Sequence, residues 1–297
     1  METRMKTILT FLVWLICLPA LGAEVSVIDA TGATIRLPQP AQRIVALAPH
    51  LTETLFAAGA GSQLVGTVDF SNYPEAAKTI PRVGGYSRLD LEAIVALKPD
   101  LIIAWQSGNA SANIEKLRSF GFPIYVSQPN RIEDIAIVIE RIGHLAGTSD
   151  VAETAAREFR TRLAALRKRY ETKPTIRTFY QIWQQPLSTV SDKQIISSVI
   201  RLCGGENVFG HLETLAPVVS VEAVIAANPE AIVVSGMDES RPDWLDDWRR
   251  WSAIEAVRHD NLFFIPPDII QRHTPRLIEG AEQFCEHLDT ARDHRSK

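Results

Sequence analysis

Few residues of this chain combine the type and the spacing that chemistry needs. Trp105 directly follows the aliphatic run LIIA at residues 101–104. A ring at the carboxyl end of a buried strand stands where ligands of parallel sheets bind. Such a ring either offers a flat apolar surface to a macrocycle or plugs the core of its own lobe. Tyr86, Phe70 and Trp183 sit near loops, where aromatic side chains contact a ligand or simply pack. Asp268 and Arg272 are four residues apart in a polar stretch. They either bind amide and phosphate groups or pair with each other on the surface.

Other chemistries find no residues. The seven histidines form no HxH, HxxxH or HExxH spacing, which disfavours a protein-ligated zinc or manganese ion. His50 and His273 fall on loops facing the same region and read as solvated. An exported hydrolase would need a GxSxG elbow or a compact Ser/His/Asp grouping, and neither is present. A net charge of −4 without a basic run makes nucleic acid an improbable partner. Trp244, Trp248 and Trp251 recur at helical spacing and read as the buried stripe of an amphipathic helix.

The elements that must position these residues are set out by an internal repeat. Residues 90–104 and 220–234 state one phrase twice, sharing Glu92/Glu222, Ala93/Ala223, Ala96/Ala226, Pro99/Pro229 and Ile102/Ile232. In each copy an N-cap residue, Asp90 or Ser220, starts a short helix. Pro99 or Pro229 stops it, and the aliphatic run that follows reads as a buried parallel strand. Each copy is thus the helix–strand half of a βαβ unit, and two copies imply two similar lobes with function between them. Glu92 and Glu222 occupy the second position of their helices, where an acid stabilises the dipole by about 0.3 to 1 kcal/mol.

Along the chain, residues 25–37 alternate around Thr31-Gly32 as a β-hairpin. Strand and helix patterns then alternate to about residue 145, which implies a parallel sheet covered on both faces. Residues 149–170 form one long helical pattern with apolar side chains at Ala152, Ala155, Phe159, Leu163, Leu166 and Tyr170. A second alternating set starts at Ile176 and closes with a helix from Pro275 to about Leu288. The expected organisation is a signal peptide over 1–23, an N-terminal lobe over 24–147, a connecting helix over 148–172, a C-terminal lobe over 173–290 and a frayed tail over 291–297.

Arg4 and Lys6 precede an apolar run that ends in small residues near Ala23, the layout of a cleavable secretory signal. About 14 apolar residues fall short of the ~20 that a spanning helix needs. Cys17 leaves with the signal. Cys203 and Cys285 then remain as an even pair bound for an oxidising compartment, which favours a disulfide over two buried thiols.

The motif spanning 31–66, the PDLIIA phrase and the single mid-chain helix resemble the helical-backbone substrate-binding proteins of bacterial ABC importers. AWQSGN at 104–109, LCGGENVF at 202–209, PDIIQRHTPR at 267–276 and the cysteine placement are most similar to the cobalamin-binding branch of that family. The resemblance covers residues 25–288. It implies an α/β protein of two Rossmann-like lobes joined by a single long rigid helix, with a ligand cleft between the lobes, no catalysis and no cofactor. It implies that Phe70, Tyr86, Trp105, Asp268 and Arg272 line the cleft and that Cys203 pairs with Cys285. It further implies that Glu92 and Glu222 dock on the permease of an importer whose other subunits are ATPases, and that the carrier acts as a monomer. Where that branch places a second-lobe tryptophan, this chain has Leu215-Ala216-Pro217. Cobalamin or a related corrinoid is the expected ligand, with haem as the alternative because Tyr86 follows Val83-Gly84-Gly85, and a siderophore third.

Overall fold

The computed structural model describes residues 24–236 and 240–295. The expected signal segment lies outside the described residues. A hairpin of β1 (Val25–Ile28) and β2 (Thr34–Leu37) opens the chain, turning where Asp29 accepts from the Thr31 and Ala33 amides. The N-terminal lobe follows as β3 (Ile44–Ala46), α1 (Pro49–Ala57), β4 (Leu64–Thr67), α2 (Leu91–Ala96), β5 (Leu101–Trp105), α3 (Ser111–Ser119), β6 (Ile124–Ser127) and α4 (Asp134–Ala146). After α5 (Ser149–Tyr170), the C-terminal lobe comprises β7 (Ile176–Gln181), α6 (Ile195–Leu202), β8 (Gly205–Asn207), α7 (Val221–Ala227), β9 (Ala231–Val234), α8 (Glu255–Arg258), β10 (Leu262–Phe264), α9 (Pro267–Ile270) and α10 (Leu277–Arg295).

Both sheets are parallel and share one topology. The first runs β4-β3-β5-β6 and the second β10-β9-β7-β8, so in each lobe the first strand lies between the second and the third. The chain therefore changes winding direction at β3/β5 in one lobe and at β7/β9 in the other, and the crevice beyond the strands' carboxyl ends at such a point is the natural binding site of an open α/β sheet. The repeated phrase supplies α2–β5 and α7–β9. Asp90 accepts from the Ala93 amide and Ser220 from the Ala223 amide, so both expected N-caps form.

The connecting helix α5 buries Ala152, Ala156, Phe159, Leu163, Leu166 and Tyr170, the apolar stripe that its sequence shows save for Ala155, which is half-buried. One apolar cluster runs from Leu51 and Ile139 through this stripe to Ile195, Phe284 and Leu288, so the lobes share a core along α5. Close packing of α4 on α5 requires Gly143, since a Cβ there would lie 2.2 Å from the Ala152 Cβ.

Two sequence expectations need correction. Residues 291–295 of the expected frayed tail are helical: α10 continues to Arg295, with Arg292 donating to the Pro174 and Cys203 carbonyls, Arg295 to the Thr175 carbonyl, and His294 paired with Asn261. These are polar anchors, and hydrophobic periodicity does not record them. The tryptophans of 243–250 lie on a 3₁₀ segment, where only Trp248 is buried. Trp244, Trp248 and Trp251 line a hollow of about 260 Å³ beside Val221.

Cys203 and Cys285 are bridged, joining the end of α6 to α10. The bridge closes a separation of 82 residues, for which chain-entropy arguments give about 4.5 kcal/mol. Reduction should lower the unfolding free energy by that order, and the native chain should be lighter than the reduced chain by two hydrogens. Two alkylatable thiols in native protein would contradict the bridge.

Candidate ligand cleft

Trp105 ends β5 and His50 is the second residue of α1, so both stand at the winding reversal of the first lobe. Their rings meet edge to face with centroids 5.0 Å apart. Asn109 fixes the surroundings: its side-chain amide donates to the Leu47 and Tyr86 carbonyls at 2.8 Å, and its oxygen accepts from the Trp105 amide at 2.7 Å. One side chain thereby ties the end of β3, the end of β5 and the loop that carries Tyr86. Gly108 permits the ring's position, because a Cβ there would fall 1.8 Å from Trp105 Cε3. Tyr86, 41% exposed, reaches Trp105 at 5.9 Å.

The second lobe brings the segment after α9 against this floor. His273 lies 5.5 Å from His50 and 6.3 Å from Trp105, centroid to centroid. Arg272 crosses the seam, donating to Glu53 of α1 at 2.6 Å, to the Asn72 side chain at 2.7 Å and to the Phe70 carbonyl at 3.3 Å, and pairing with Asp268 at 2.6 Å. Arg276 adds a contact at 3.6 Å to Glu53 and lies 4.1 Å from the centre of the Tyr73 ring. The Phe70 backbone has φ of 63°, an unusual conformation for a bulky residue, and its ring is 75% exposed.

Electrostatics at the seam favours neutral imidazoles. Burial, then the neighbouring His273 and Arg272, hold His50 well below the ordinary histidine range. Burial alone lowers His273 to about 4. Burial raises the Glu53 carboxyl, while its hydrogen bond to Arg272 and the charges of Arg272 and Arg276 oppose that rise.

A histidine kept neutral in the fold contributes stability in full above its unfolded value near 6.5, and that stability is lost as pH falls toward the folded value. As pH falls from about 7.5 to 5.5 both histidines should therefore destabilise the fold, His273 by about a kilocalorie. Glu53 acts in the opposite sense, chiefly at lower pH. Urea midpoints at the two pH values check this for wild type against the His50→Gln/His273→Gln variant, which should be flatter. Equal stability of the wild type at both values would contradict it.

Trp105, Tyr86, Asp268 and Arg272, all expected from the sequence to line a cleft, lie at this seam, and Phe70, expected with them, meets it through its carbonyl while its side chain is exposed. Trp183 follows the carboxyl end of β7, on an isolated bridge to Ser188 that continues to Val218. It is 41% exposed and its indole donates to the Gln185 carbonyl. Two readings are corrected. His50 and His273 are buried at 6% and 8% exposure, because each is covered by the other lobe. Asp268 and Arg272 do pair, yet inside the seam instead of on an open surface. Glu53, Asn72 and Arg276 were missed. The one available signal was Glu53 three residues after His50, on the same face of α1.

Glu92 and Glu222 are exposed, one at the start of α2 and one at the start of α7. The Glu222 carboxyl lies below the ordinary range, held there by its backbone N–H and the Ser220 hydroxyl.

A family model for periplasmic binding proteins matches residues 44–269. The chain belongs to the periplasmic binding protein family. Members of this family carry solutes and are not enzymes. The binding protein is 39% identical over 256 residues to the vitamin B12-binding protein of Vibrio campbellii, covering 86% of this chain and 92% of that one. It is 35% identical over 250 residues to the protein of the same name from Yersinia pestis, covering 84% and 87%. The crystal structure of the periplasmic vitamin B12-binding protein of Vibrio cholerae superposes with a TM-score of 0.79 at 38% identity, over 85% of this chain and 98% of that one. A haem-binding protein from Roseiflexus shares the fold at a TM-score of 0.72 and 22% identity, over 84% of this chain and 99% of its own.

Proposed function

We propose that the binding protein captures cobalamin or a related corrinoid in the periplasm and delivers it to an ABC importer, residues 1–23 being removed on export. The observation that carries this is the aromatic floor of Trp105 and Tyr86 at a winding reversal, faced across the seam by Asp268 and Arg272. A corrin is a broad apolar ring edged with amides, and its nucleotide loop carries a phosphate. The floor suits the ring, and the Asp268–Arg272 pair suits the amides and phosphate. The name borne by relatives at 35 to 39% identity supports the same reading.

In this account Phe70, Tyr86 and Trp105 line the first-lobe side of the cleft, and Trp183 the outer rim of the second lobe, near exposed Val218 and Leu215. These apolar groups stand in for the tryptophan absent at 215–217. Arg272 holds the lobes together until cargo amides compete for it. Glu92 and Glu222 present one acid per lobe to a two-fold permease, and the carrier acts as a monomer.

The test is competition. The mature protein is mixed with equimolar cyanocobalamin and haemin, desalted, and its visible spectrum recorded. The corrinoid bands should elute with the protein at one equivalent. A haem spectrum in their place would transfer the function to haem, and a colourless protein would refute both.

A further inference from the structure

Resting on the corrinoid reading, we propose that the His50–His273 pair supplies an axial nitrogen ligand to the metal at the centre of the cargo. The pair is built from both lobes. His50 comes from the first turn of α1 and His273 from the segment after α9, with Trp105 edge-on to each. Each imidazole is more than nine-tenths buried, and each has a ring nitrogen without a hydrogen-bond partner, Nε2 of His50 and Nδ1 of His273. Interiors seldom keep such an atom without a use.

Neutral imidazole is the ligating form. Among the described residues no group of three or more His, Cys, Asp or Glu could hold a metal ion. A hydrated ion would therefore find two donors at most, too few for a closed site. A macrocycle brings four equatorial nitrogens and leaves only axial positions to fill. His50 Nε2, remote from its own Cβ, is the less hindered donor.

The step is a ligand exchange. The cobalt–water bond breaks, a cobalt–nitrogen bond forms, water leaves, and no electron or proton is transferred. Cargo with a labile axial water is thereby preferred over cargo capped by cyanide.

Cob(II)inamide provides the test, because it lacks the nucleotide base and so has no axial nitrogen of its own. Its unpaired electron points along the axis and couples to an axial nitrogen. Electron paramagnetic resonance of the complex, in buffer free of nitrogen bases, should show three-line splitting. Protein labelled with ¹⁵N-histidine should convert it to two lines, and one of the single substitutions, His50→Gln or His273→Gln, should remove it, with affinity reduced tenfold or more. A bound cobinamide without nitrogen splitting, or splitting that survives the double substitution, would overturn the proposal. If cyanocobalamin binds and cob(II)inamide does not, the ligation falls and the corrinoid reading stands. If neither binds, both fall.

Discussion

Charge reversal at both repeated acids, Glu92→Lys with Glu222→Lys, should abolish ligand-stimulated ATP hydrolysis by the reconstituted importer and leave cargo affinity unchanged. Both side chains are exposed at the starts of α2 and α7. The two lobes share one strand order, so in the proposed docking equivalent residues of the repeat would present a pair of acids to a two-fold permease. Complementary charge chiefly fixes orientation and encounter, and reversing it places like charges together at both contacts. Helix stability alone predicts something else: the double Glu→Gln variant would lose about a kilocalorie and transport normally. Equal stimulation by wild type and the doubly reversed protein, at matched cargo saturation, would leave the glutamates as remnants of duplication.

Trp105→Ala should weaken corrinoid binding at least tenfold in a protein that remains folded. Removing the ring loses stacking of about 0.5 to 1.5 kcal/mol beyond its area, and a factor of ten corresponds to about 1.4 kcal/mol. Trp105 also orients His50 and Tyr86, so its loss disturbs the floor on two sides. Gly108→Ala is the companion variant, because the added methyl must displace the indole without deleting it. It should weaken binding by a smaller factor. Calorimetry on both variants decides the matter. Unchanged affinity in folded Trp105→Ala protein would make the ring part of its own lobe's core.

The architecture was legible because its information is local. Asp90 and Ser220 announce helix starts, Pro99 and Pro229 announce their ends, and the aliphatic runs after them are the inner strands β5 and β9. Trp105 was readable for the same reason, since its place at a strand's end follows from neighbouring residues. The seam was not. Arg272 and Glu53 meet across 219 residues of sequence, and His50 and His273 come from different lobes to pack 5.5 Å apart. The final helix exceeded its hydrophobic pattern because Arg292 and Arg295 hold it through backbone carbonyls.

A calorimetric titration of cyanocobalamin into the protein lacking residues 1–23 tests the central claim most directly. It should show saturable binding at one site per chain, and the same titration of Trp105→Ala should show the weaker curve. Absence of saturable heat with folded wild-type protein, while haemin titrates to one equivalent, would contradict the account.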